Sequence, residues 1–123
     1  MRRPDHLLLV GLGGVGGATV RWFVAENLAR SSFPWHTLLV NVVGCLLLGV
    51  VMARATSTPL SRLLGVGFCG GLTTFSTFTL EIVDLVDRGL VGTAIWYLVA
   101  SLVLGIVAFV ATFRTLRTTE VAA

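Results

Sequence analysis

Between Gly70 and Thr79 the chain reads Gly-Gly-Leu-Thr-Thr-Phe-Ser-Thr-Phe-Thr. Two adjacent glycines precede five hydroxyl side chains and two phenyl rings packed into seven positions. The patch lies inside an uncharged segment of 18 residues, Leu63 to Leu80, long enough to be a membrane-span candidate. Hydrocarbon offers no water to freed backbone groups, so a polar, glycine-interrupted stretch at that depth is buried in protein or lines a cavity. Hydroxyls donate hydrogen bonds without a countercharge that would trap an ion, and phenyl rings present a positive edge. Both suit a small anion stripped of water.

If this part is helical, Phe75 and Phe78 share a face. Ser76, Thr77 and Thr79 extend a polar rail, which Asn41, Tyr97 and Ser101 could join. Tyr97 and Ser101 stand one turn apart in a stripe continued by Gly105, Ala108 and Thr112, which also reads as a small-residue packing seam. A lone Asn in a membrane helix commonly bonds a neighbouring helix, so Asn41 is either such a bond or a donor to a permeating ion. Arg21 either snorkels to the interface or draws an anion towards a pore mouth. Phe and Thr are ordinary packing residues in membrane helices. Their density beside Gly70-Gly71 is what favours the cavity reading.

The elements that must position these residues are apolar helices. Hydrophobic residues make up 55% of the 123 and charged residues 12%, about half the share of a soluble domain. Four apolar segments fall at residues 7–28, 35–53, 63–83 and 90–113, with short loops between them. The expected architecture is all-α and integral to the membrane: one transmembrane domain over residues 1–123. All nine basic residues are arginines, scattered singly or in pairs near the ends of apolar runs. A nucleic-acid face needs clustered charge, so no nucleic-acid partner is expected. With four spans, Arg2, Arg3, Arg54, Arg62, Arg114 and Arg117 share one side, against Arg30 and Arg88 with Arg21 near them. That bias puts both termini in the cytoplasm.

Other chemistries find little support. Gly11, Gly13 and Gly16 have the spacing of a dinucleotide-binding turn. No acidic residue follows about 20 positions on, no βαβ pattern surrounds it, and Gly65, Gly67 and Gly70 repeat the spacing. Gly13 and Gly17 read better as a close helix-packing pair. Cys45 and Cys69 lie in apolar runs without metal or disulfide spacing. His6 and His36 stand at helix starts without acidic or cysteine partners at ligand spacing, and no nucleophile–base set is visible. An enzyme is not expected.

The chain closely resembles the CrcB/Fluc family of small bacterial fluoride channels. The matching pieces are Gly13-Gly14-Val15-Gly16-Gly17-Ala18 with Arg21, the run Thr37 to Gly44 around Asn41, and Gly65 to Thr79 with Glu81 after it. The third piece is highly specific. The resemblance implies a third helix broken at its centre and an antiparallel, dual-topology dimer with two fluoride pathways. Phe75 and Phe78 match the pore phenylalanines, and Asn41 the pore amide. Ser76, Thr77, Tyr97 and Ser101 match the polar track, Arg21 the vestibule arginine, and Glu81 an acid beside the pathway. A structural sodium ion at the dimer interface is implied, held by backbone carbonyls of Gly70 and Thr73. The implied function is passive exit of fluoride across the bacterial inner membrane, giving resistance to the ion.

Two departures stand out. Gly105 replaces a serine that family members can carry beyond Ser101. The arginine bias is strong for a chain that inserts both ways, so a heterodimer with a paired homologous subunit competes with the homodimer. Two other functions compete with the channel. A proton-coupled small multidrug-type exporter needs a carboxylate in the core of the first helix, which has only Glu26 at its far end. A non-transporting assembly subunit leaves the Phe/Thr stretch without a purpose.

Overall fold

The computed structural model describes residues 3–28, 31–54 and 58–121. Every regular element among them is helical. The order is α1 (Arg3–Asn27), α2 (Trp35–Arg54), α3 (Pro59–Ser61), a π-helical stretch (Arg62–Cys69), α4 (Gly70–Leu72), α5 (Phe75–Asp87) and α6 (Val91–Val121). Four stretches are long and apolar enough to cross a membrane: α1, α2, the composite run Pro59–Asp87, and α6. The helices outreach the apolar runs, because helical hydrogen bonding continues where charged residues are already solvated at the interface. Thus α6 continues past Phe113 through Arg114 and Arg117.

Local signals set the ends of the composite run. Thr58 caps its start, accepting from the Ser61 N–H at 3.2 Å, and Pro59 occupies a first-turn position where no N–H is needed. At the far end, Gly89 adopts φ 75°. Its N–H donates to the Val86 carbonyl at 2.9 Å, and Leu90 N–H reaches back to Leu85 at 2.8 Å. This is a Schellman stop, which favours glycine at the left-handed residue.

Two packing seams hold the spans together. α1 lies chiefly along the π stretch and α4, while α2 lies chiefly along α6 and only lightly on α1. The first seam is backbone against backbone. A Cβ on Gly13 would run into the Leu63 carbonyl, one on Gly17 into the Phe68 carbonyl, and one on Gly71 into the Gly14 carbonyl. The Gly13–Gly17 pair is therefore a packing surface in the middle of α1, not a nucleotide turn. In the second seam, a Cβ on Gly49 would come within 2.8 Å of the Phe109 carbonyl. Gly105 faces Cys45 there, and Thr112 lies by Gly49, so the lower half of the α6 stripe is packing. A small apolar core of Leu38, Phe78, Leu85, Ala94 and Tyr97 joins α2, α5 and α6 near the other end.

Gly17→Val should destabilise the fold by about 3 kcal/mol or more, because backbone on both sides leaves nothing to yield. Gly92→Ala, where a Cβ meets open space, should stay within about 0.5 kcal/mol. Thermal unfolding in detergent compares the two. Similar melting of both variants would remove the close seam.

Candidate functional site

The site is built where α4 gives way to α5. Thr73 (φ −77°, ψ 156°) and Thr74 (φ −147°, ψ 123°) are extended, between helical Leu72 and helical Phe75. A continuing helix would direct the Thr74 N–H to the Gly70 carbonyl. Instead it donates to Asn41 Oδ1 at 2.8 Å, and Asn41 Nδ2 donates to the Thr74 carbonyl at 3.1 Å. Arg21 Nη1 donates to the Thr73 carbonyl at 2.9 Å. Thr73 turns its own N–H and hydroxyl back to the Cys69 carbonyl, at 3.0 and 2.9 Å. Its methyl occupies the space that a Cβ on Gly44 would need. Each freed backbone group at this depth would cost several kcal/mol unpaired, which is why α1 and α2 each lend a side chain.

Thr74 also starts the next helix. Its hydroxyl accepts from the Thr77 N–H at 3.2 Å and donates to the Thr77 hydroxyl at 3.0 Å, with Ser76 Oγ 3.4 Å away. This N-cap leaves three hydroxyls together at the positive end of α5.

Beside the two extended residues lies a cavity of about 550 Å³. Its wall includes Gly70, Thr73, Thr74, Phe75, Phe78 and Ser101. Ser101 Oγ is the one buried side-chain polar atom without a hydrogen-bond partner among the described residues. Phe75 is 79% exposed and Phe78 is buried. Their centroids are 5.9 Å apart, and Phe78 is in turn 5.0 Å from Tyr97.

One turn beyond Phe78, Glu81 gathers a polar cluster. Its Oε1 accepts from the Thr37 hydroxyl at 2.7 Å and lies 3.2 Å from His36 Nε2. Its Oε2 accepts from the Tyr97 hydroxyl at 2.7 Å. Glu81 and His36 also line a second cavity of about 320 Å³ with Glu26, Asp84 and Arg88. Phe78 and Tyr97 therefore stand between the first cavity and the carboxylate that faces the second.

The sequence-selected residues divide by what they do. Phe75, Phe78, Ser101, Gly70 and Thr73 share the first cavity wall, and Ser76 and Thr77 cluster at the α5 cap. Asn41 lines the cavity too, yet both ends of its amide are engaged by Thr74. Arg21 reaches the backbone of Thr73. Tyr97 spends its hydroxyl proton on Glu81. His36 has an acidic neighbour that spacing along the chain does not offer: Glu81, on another span, with Oε1 3.2 Å from Nε2. Thr37 and the capping role of Thr74 were also missed. Antiparallel second and third spans put the start of one level with the end of the other, a pairing that local spacing does not show.

The chain matches, over residues 8–113, the family described as CrcB-like protein, Camphor Resistance (CrcB). It is similar to "Fluoride-specific ion channel FluC 2" of Rhodococcus jostii, 45% identical over 109 residues, covering 88% of this chain and 96% of that one. It is also similar to "Fluoride-specific ion channel FluC" of Bordetella bronchiseptica, 45% identical over 80% of this chain and 81% of that one. "Fluoride-specific ion channel FluC 1" of Ligilactobacillus salivarius is 41% identical over 83% of this chain and 91% of that one.

Asn41→Asp keeps the acceptor for the Thr74 N–H but puts a carboxylate oxygen against the Thr74 carbonyl. The loss of the donor should cost about 1–3 kcal/mol. Thermal unfolding in detergent reads it, and a wild-type midpoint would show that the extended residues hold without this clamp.

Proposed function

The chain belongs to the CrcB family, and from that premise we propose that it is a fluoride channel through which the ion leaves the cytoplasm passively. The observation that carries the reading is the buried, unpartnered hydroxyl of Ser101, a residue of the cavity wall shared with Phe75, Phe78 and Thr74. A buried donor without an acceptor is costly in a resting fold and useful to an anion that has shed its water. The ring edges of Phe75 and Phe78 and the positive end of α5 favour the same charge. Ser76 and Thr77 continue the donors at the cap. Asn41 and Arg21 hold the backbone that presents them, and Tyr97 stands between the first cavity and Glu81.

The helix interruption at Thr73–Thr74 then has two faces. The α5 start receives the anion, and the carbonyl end of α4 suits a cation, as half-helix ends do in transporters. The residues fit a sodium ion on one count that can be read in the fold. Asn41 takes the Thr74 N–H away from the Gly70 carbonyl, Gly70 faces open space, and the Thr73 carbonyl keeps a lone pair beside its bond from Arg21. A bound sodium there would supply fixed positive charge and tie subunits together. Two carbonyls are too few for one ion, so a second copy must bring its own pair. Exposure of Phe75 and Gly70 on one side agrees with such a partner.

The assembly we propose is an antiparallel homodimer in a bacterial inner membrane, in contact with lipid along the exposed aliphatic side chains. The arginine bias favours a second arrangement, a heterodimer with a homologous chain of opposite orientation. Reporter tags at both termini separate them: tags on both sides of the membrane give the homodimer, and tags on one side only give the heterodimer.

Purified protein in liposomes should release fluoride, and not chloride, down its gradient without a proton gradient. No leak, or one that requires proton exchange, overturns the channel. Phe75→Ile and Ser101→Ala should each lower fluoride efflux at least about tenfold, while size-exclusion profiles stay unchanged. Wild-type efflux from either variant removes that residue from the pathway.

A further inference from the structure

His36 sits at the start of α2, half-buried, with Nε2 3.2 Å from Glu81 Oε1. It lines the cavity of about 320 Å³. The charged and titratable groups around it are Glu81, Asp84 and Arg88 from the end of the third span, and Glu26 from the end of α1. Arg88 is engaged by Asp84 at 3.2 Å. On the α6 side, Tyr97 already donates to Glu81 Oε2, and Thr37 donates to Oε1. With His36 neutral, the cluster is therefore an acidic mouth one turn from Phe78, and a fluoride ion approaching it meets net negative charge. Imidazole is the side chain whose charge ordinarily changes between pH 5 and 8.

We infer that His36 is a further residue of the anion pathway, which sets the charge of this mouth by taking up a proton beside Glu81. The inference rests on the fluoride-channel reading. Protonated, His36 forms an ion pair with the Glu81 carboxylate and cancels its repulsion of the anion. The lining of this cavity also includes Ser32, while Ser31 gives its hydroxyl proton to the Phe33 carbonyl at 2.7 Å. Fluoride entry from that side rises. Neutral, the ring no longer offsets the charge of Glu81, and the acidic mouth slows entry without closing the path. The channel thus passes more fluoride from the acidified side.

The test is fluoride current through purified protein in planar bilayers, at fixed voltage and fluoride concentration, with pH stepped from 8 to 5.5. Protein-free bilayers are subtracted for leak of the neutral acid. Wild type should gain about fivefold, the scale of one charge acting across a partly screened cavity. His36→Gln should be flat with pH at the wild-type level of pH 8, and His36→Arg flat at the level of pH 5.5. A wild-type current that is present but indifferent to pH overturns the role of His36 and leaves the channel standing. So does His36→Gln if it keeps the wild-type pH profile. Absence of fluoride current at every pH overturns the channel and this inference together.

Discussion

Everything at the centre of this fold follows from two residues of extended backbone placed in the middle of a membrane-capable span. Thr73 and Thr74 leave the helical pattern, and their N–H and carbonyl groups must find partners inside the protein. The solution draws on three spans. Arg21 comes from α1, Asn41 from α2, and the Cys69 carbonyl from the turn before. Each reaches a different group, so the arrangement is determined rather than merely tolerated. The glycine seam serves the same end: only with α1 drawn against α4 does Arg21 reach Thr73, and Gly44 is bare so that the Thr73 side chain has somewhere to go.

Much of this was legible in the residues. Length and charge placement are enough for four membrane-capable helices, and the density of hydroxyls and rings after Gly70-Gly71 points to the right decade of the chain. Gly13 and Gly17 declare themselves as a packing pair once a nucleotide turn lacks its acid. What the residues do not reveal is who satisfies whom. Asn41 reads equally as an interhelical bond or an ion ligand, and only the fold commits both ends of its amide to Thr74. Tyr97 and Ser101 look like twins on one stripe, yet one is tied to Glu81 and the other has no partner. His36 looks isolated because its acid is 45 residues away. Each of these pairings links residues remote in sequence, and no periodicity reports on them.

The aromatic and polar sides of the site are mutually dependent. Phe33 and Phe78 pack on the ring of Tyr97, and that ring carries the hydroxyl that fixes one oxygen of Glu81. Thr37 fixes the other. The carboxylate is therefore oriented by a wall that also closes off the first cavity. A change in the ring stack would be felt as a change in charge position, not only in volume.

The three-span origin of the clamp has a consequence for how the protein is made. A nascent chain enters the membrane from its N-terminus, so α1 and α2 arrive with Arg21 and Asn41 still lacking the groups they will hold. Until the third span follows, two strongly polar side chains wait in or near lipid. When it does, its two halves are too short and too polar in the middle to be indifferent to their surroundings, and they are secured by residues already in place. The order of synthesis thus coincides with the order of need: the holders come first and the interrupted span after them. The final helix then closes over α2 and seals the cavity wall with Ser101.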